Sequence, residues 1–177
     1  MLSSREPRVE PFHAIFEAEL RWMWTTLRRL GVRRSDLEDV THDVFVQVYA
    51  KLATYDPDKP IRPWLFAFAY RTASDYRRLA RHREDPNAEM DATRGTQPLP
   101  DELLAQREES ELVHAALATL DLDRRAVLVG FALEGIAVTE LAETLGIPLN
   151  TAYSRLRLAR EDFTAAVRRL AKARRRA

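Results

Sequence analysis

Residues 146–163, GIPLNTAYSRLRLAREDF, place a helix behind a sharp Gly146-Ile147-Pro148 break, and residues 138–145, VTELAETL, place a shorter helix before it. In the second helix Ala152, Leu156, Ala159 and Phe163 share one face at helical spacing. Asn150, Tyr153, Ser154, Arg157 and Arg160 fall on other faces and stay available. A compact helix pair whose second member carries Arg, Asn and Tyr outward suits a helix entering a DNA major groove. An ordinary surface hairpin of two helices fits the same residues, so the rest of the chain must choose.

Moving outward, the charge pattern is informative although the net charge is only +1. From Glu84 to Glu111 nine acids face only Arg94 and Arg107; from Arg155 to the C-terminus nine bases face Glu161 and Asp162. Five arginines between Arg71 and Arg83 face Asp75 alone. Two basic segments divided by an acidic one point to two polyanion-facing surfaces. The last ten residues, RRLAKARRRA, read as a disordered basic tail.

Upstream, Phe12, Ile15, Phe16, Met23, Leu27 and Leu30 predict a core helix over 12–30, with Pro11 at its start and Gly31 at its end. Ser35 with Glu38 predicts a capping box. The helix it would open carries a Leu37, Val40, Val44, Val48 stripe, with Phe45 and Leu52 beside it. Asp39, His42, Asp43 and Gln47 lie off that stripe, as a solvated face or a dock for a basic partner. After a Pro- and Asp-rich loop at 55–60, Pro63 starts a third helix with Trp64, Leu65, Phe68, Ala69 and Thr72 inward. Its Tyr70, Arg71, Tyr76, Arg77, Arg78, Arg81 and Arg83 mix rings with cations, as single-stranded nucleic-acid sites do. Residues 84–101, with three prolines and no periodicity, read as a linker. Helices are then expected over 102–119 and 124–134.

The chain of 177 residues lacks cysteine, so disulfides and thiolate metal sites are excluded. His13, His42, His82 and His114 are scattered, so no metal site is expected, nor any cofactor. No nucleophile is paired with a base, and no phosphate-binding glycine motif occurs, so no enzyme is expected. No apolar run of membrane-spanning length and no signal peptide are found, which fits a cytoplasmic protein.

Taken together, DLEDVTHDVFVQVYAKL, PWLFAFAYRTASDYRRLARHR and LATLDLDRRAVLVGFALEGIAVTELAETLGIPLNTAYSRLRLAR resemble, in order and spacing, regions 2.2, 2.3–2.4 and 4.1–4.2 of bacterial RNA polymerase sigma factors. The resemblance is to the sigma-70 family, extracytoplasmic-function class, and covers nearly the whole chain. It implies an all-α protein of two small helical domains: a region 2 domain at 8–84, a flexible linker at 85–101, and a region 4 domain with the helix–turn–helix at 102–172.

It also implies roles. Asp39, His42, Asp43, Val46 and Gln47 would bind core RNA polymerase. Tyr55, Lys59, Arg62, Trp64, Arg71, Arg77, Arg78 and Arg81 would hold the −10 element of promoter DNA and melt it. Asn150, Thr151, Tyr153, Ser154, Arg155, Arg157 and Arg160 would read the −35 element. Many members of the class are held inactive by an anti-sigma factor, which joins the partners to be considered. Three departures from the family pattern stand out: Arg71 where Asn is usual, Tyr153 where a base is usual, and Ala137 where a Ser N-cap is usual. A one-component helix–turn–helix regulator is the alternative, and it leaves the N-terminal half unused.

Overall fold

Met23, Leu27 and Leu30 recur at helical spacing, and all three are fully buried, so one stripe of the first helix forms the centre of the N-terminal half. The computed structural model describes residues 9–82 and 101–176, with side chains for 11–79 and 109–176. Residues 85–100 of the linker expected at 85–101, all of Arg83 and the side chain of Arg81 lie outside the described residues, while Asp101 opens the fourth helix. The helices are α1 (Val9–Leu30), α2 (Leu37–Lys51), α3 (Ile61–His82), α4 (Asp101–Ala118), α5 (Leu122–Ala132), α6 (Val138–Leu145) and α7 (Leu149–Arg174). Among the described residues every regular element is helical.

In the first half α1 packs on α2 and α3, and α2 packs on α3. Leu37, Val40, Val44, Phe45 and Val48 of α2 are buried, as the stripe predicts. In the second half α4, α5 and α6 all pack on α7, where Ala152, Leu156, Ala159 and Ala166 are buried. Asp121 caps α5, its carboxylate accepting the Arg124 N–H at 2.9 Å, which satisfies one of the donors a helix start leaves open.

Two local expectations are corrected. The capping box at Ser35 does not form: a short 3-10 turn covers Arg34–Asp36, and Asp36 stands before α2 without a side-chain cap bond. Its carboxylate instead accepts from the Ser35 and Tyr76 hydroxyls, so a tertiary partner on α3 displaces the local cap. The basic tail is helical as far as Arg174. α7 is nucleated and packed upstream, and propagation adds a hydrogen bond for each residue fixed, whereas a new helix must first nucleate.

The two halves meet along a seam where α3 packs on α6 and α5, and α1 on α5 and α4. Phe66 of α3, fully buried, lies against Gly130 of α5, where an added Cβ would come 3.3 Å from its ring and 2.5 Å from Leu141. Any side chain at Gly130 would push Leu141 and Phe66 from their places. Arg125 is also buried here, with Nη2 donating to the Leu120 carbonyl at 3.3 Å while Nε has no hydrogen-bond partner. Burial first, and then Arg77 of α3, lower its pKa to about 10.

His114 of α4 is neutral at this seam: burial, then Arg28, Arg29 and Arg125, push its pKa down to about 4 from the usual 6.5. The unfolded chain therefore takes up a proton near pH 6.5 that the folded chain refuses until about pH 4. His114 thus favours the fold fully above pH 6.5, and this contribution falls as pH drops towards 4. His114→Gln should flatten that part of the stability curve, and urea titrations of both proteins at pH 7.5, 6 and 5 check it.

Candidate nucleic-acid and partner interfaces

Asp39, His42, Asp43 and Val46 are spaced so that they share one face of α2, and all are exposed, Val46 by 54%. Gln47 sits at the edge of this face and donates from Nε2 to Thr72 Oγ1 at 3.1 Å, tying α2 to α3. Tyr49 is exposed beside them and stacks edge-on against Phe12 of α1, with ring centres 5.1 Å apart. The patch is an acidic rim around an apolar residue, as suits a cationic, partly apolar protein surface.

A second surface forms where the loop after α2 meets α3. The Tyr55 hydroxyl donates to the Lys59 carbonyl at 2.7 Å and closes the loop on itself. The Tyr55 ring packs on Trp64 at 5.1 Å, and Trp64 meets Phe68 edge-on at 4.8 Å. Arg71 lies over Phe68, its guanidinium carbon 5.0 Å from the ring centre. Gln47, Ala50, Lys51, Thr54, Trp64, Phe68 and Arg71 line an open pocket of about 450 Å³. A ring-floored pocket with cations at its rim can hold a stacked base and its phosphate.

Of the other predicted residues here, Arg62 pairs with Glu19 at 3.0 Å and lies over Trp22 of α1. Arg77 turns towards Gly31 and Arg125 at the seam. Arg78 is exposed and pairs with Asp75 at 3.2 Å. The arginines of α3 therefore do not form one stripe.

The third surface is the exposed side of α7. Gly146 adopts φ 66° and ψ 36°, and the N–H groups of Gly146 and Ile147 bond the Glu143 and Ala142 carbonyls at 3.1 and 2.9 Å. This left-handed turn ends α6, and Pro148 starts α7 at once. α6 itself begins at Ala137 with no side-chain cap, as read from the sequence. Asn150, Tyr153, Ser154, Arg157 and Arg160 are exposed on α7, Tyr153 by 52%. Thr151 is half-buried. Arg157 pairs with Glu161 at 2.8 Å, and Arg160 lies 4.9 Å over Phe131. Between α5, α6 and α7 runs an open groove of about 590 Å³, with Phe131, Val138 and Leu156 among its apolar lining and Tyr153, Arg157 and Arg160 among its polar.

Arg155 departs from that face. It is tied to Asp123 of α5 at 2.6 Å, and the other oxygen of Asp123 accepts from the Tyr70 hydroxyl of α3 at 2.8 Å. Burial, then this hydrogen bond, push the Tyr70 pKa up to about 12. Nearby on the seam, Glu134 accepts from Trp22 Nε1, from Thr26 Oγ1 at 3.2 Å and from Arg29 Nη1 at 2.8 Å. Neither carboxylate's task is readable from local spacing, because the partners lie 32 to 112 residues away along the chain.

Residues 15–83 match the family model Sigma-70 region 2, and residues 110–163 match Sigma-70, region 4. The chain is 30% identical over 146 residues to the RNA polymerase sigma factor CnrH of Cupriavidus metallidurans, covering 78% of this chain and 76% of that one. It is 26% identical over 140 residues to the ECF RNA polymerase sigma-E factor of Escherichia coli, covering 73% of each. Among solved structures, CnrH in complex with the cytosolic domain of CnrY superposes with a TM-score of 0.62 at 26% identity, over 87% of this chain and 85% of that one. The sigma factor RpoE of Bartonella quintana, solved with the anti-sigma factor NepR, superposes at 0.68 over 90% and 98%; at 19% identity it speaks for the fold alone.

Proposed function

The chain belongs to the sigma-70 family of RNA polymerase sigma factors, extracytoplasmic-function class, and on that premise we propose how its three surfaces divide the work of transcription initiation. The exposed α2 face of Asp39, His42, Asp43 and Val46 docks on core RNA polymerase. The exposed α7 face, from Asn150 to Arg160, enters the major groove at the −35 element. The pocket of Trp64, Phe68 and Arg71 takes a base extruded from the −10 element. Unstacking a base costs a few kcal/mol, which a ring-lined pocket and phosphate contacts can offset without nucleotide hydrolysis. Phosphodiester synthesis stays with the polymerase, so this chain is not itself an enzyme. A protein partner besides the polymerase is also expected, an anti-sigma protein in this class, and CnrH is itself solved with the cytosolic domain of CnrY bound.

The observation that carries this reading is that one chain presents both an outward Asn/Tyr/Arg helix and an aromatic–basic pocket. A helix–turn–helix regulator acting alone needs only the first. The deciding experiment combines purified core polymerase, this chain and candidate promoter DNA. RNA started at the promoter only when the chain is present supports the proposal; duplex binding indifferent to core polymerase overturns it.

The division of labour is checked by two variants. Arg157→Ala should weaken −35 duplex binding by about one phosphate or base contact and leave core binding unchanged; the contact is worth ~1–3 kcal/mol where bidentate to a base. Asp43→Ala should do the reverse, and matched losses in both assays would refute the assignment.

A further inference from the structure

We propose that Arg71 makes the α3 pocket selective for an extruded base with two neighbouring acceptors on one edge, guanine or cytosine, against adenine and thymine. This selectivity rests on the initiation reading above and deepens it. Arg71 stands where the family pattern has Asn, so the preference is this chain's own. Among the α3 arginines with described side chains, Arg62 is held by Glu19 and Arg78 by Asp75, while Arg77 turns to the seam. Arg71 instead lies over Phe68, 5.0 Å from the ring centre, in the wall of the pocket. Among the described residues no carboxylate pairs with it. Stacking on a ring orders the plane of a guanidinium and leaves its N–H edge unspent.

The polar groups of the pocket decide which base edge that fork meets. Its charged members, Arg71 and Lys51, only donate, and no carboxylate lines it. The Thr54 hydroxyl donates to the Lys51 carbonyl at 2.7 Å and the Gln47 amide to Thr72 at 3.1 Å, leaving their oxygens as acceptors for a base's own N–H groups. A guanidinium presents two parallel N–H groups and binds best to two acceptors side by side. Guanine offers O6 and N7, and cytosine offers N3 and O2. No two acceptors are neighbours on the exposed edges of adenine or thymine, where an N–H donor stands between or beside them. Lys51, a point charge without a fork, suits the phosphate instead.

A short randomised single strand, bound to the full chain with core polymerase and then sequenced, reads the preference directly. One position should be enriched in guanine or cytosine over adenine and thymine about five- to 150-fold, the discrimination of one bidentate pair, and the sequences say which of the two is taken. Arg71→Lys keeps the charge but loses the fork, so the enrichment should flatten while overall binding changes little. Arg71→Gln should move the enrichment to adenine, whose N6 and N7 match an amide. Arg71 is exposed, so neither variant should disturb folding. If Arg71→Gln weakens all four bases alike and lowers the salt slope by about one, Arg71 is a phosphate contact and the proposal is overturned. It is equally overturned by enrichment in adenine or thymine with the unaltered chain, or by enrichment that ignores both variants. Promoter-directed RNA without Arg71-dependent enrichment sinks the selectivity and leaves initiation standing. Arg71-dependent enrichment without such RNA does the reverse.

Discussion

Phe66→Ala should lower the unfolding free energy by about 3–5 kcal/mol, the range for removing a fully buried phenyl ring. Its ring is fully buried in α3 and meets Gly130 of α5. The substitution therefore removes packing from the N-terminal half and from the seam together. The void would open beside Gly130 of α5, where no side chain of that helix can fill it, so the surroundings relax only in part. A urea unfolding curve with a lower midpoint and unchanged slope is the expected result. A loss below about 1 kcal/mol would show that the ring is not locked in the core.

Trp64→Ala should impair strand opening more than any other single change in the α3 pocket. The ring is half-buried, packed between Tyr55 and Phe68, and forms the floor on which a flipped base would stack. A stacked base is worth ~1–3 kcal/mol, so opening of the −10 region should fall about five- to 150-fold. Permanganate reactivity of promoter thymines, with core polymerase and the variant, measures it. Binding to a −35 duplex should be unaffected, and Trp64→Phe should restore most of the opening. If both variants open DNA normally, the base is held elsewhere.

How much of this was legible beforehand depends on how local each feature is. The apolar stripes of α1, α2 and α7 recur within a turn, so periodicity revealed them and burial follows it. The Gly146–Pro148 break was equally plain, because glycine in a left-handed turn and proline at a helix start act through their own backbone. The capping box at Ser35 misled because a distant hydroxyl, that of Tyr76, takes the Asp36 carboxylate. The tail misled because composition says nothing of a helix continuing from a packed segment. The predicted face of α7 is outward at Asn150, Tyr153, Ser154, Arg157 and Arg160. Arg155, Arg62 and Arg77 are drawn to carboxylates or to the seam by residues far along the chain, which no spacing rule could register.

Arg125 gives the seam a second character. Arg77 from one half and Arg125 from the other approach each other there; burial first, and then the repulsion from Arg77, depress the pKa of Arg125, with Asp121 opposing. Bulk salt screens buried charges far less than exposed ones, so this repulsion persists at the ionic strengths that silence surface pairs. The seam therefore brings together carboxylates that bind across it, Asp123 and Glu134, and two guanidinium groups of like charge. Raising salt should therefore loosen the exposed ion pairs of the surface well before it alters this seam.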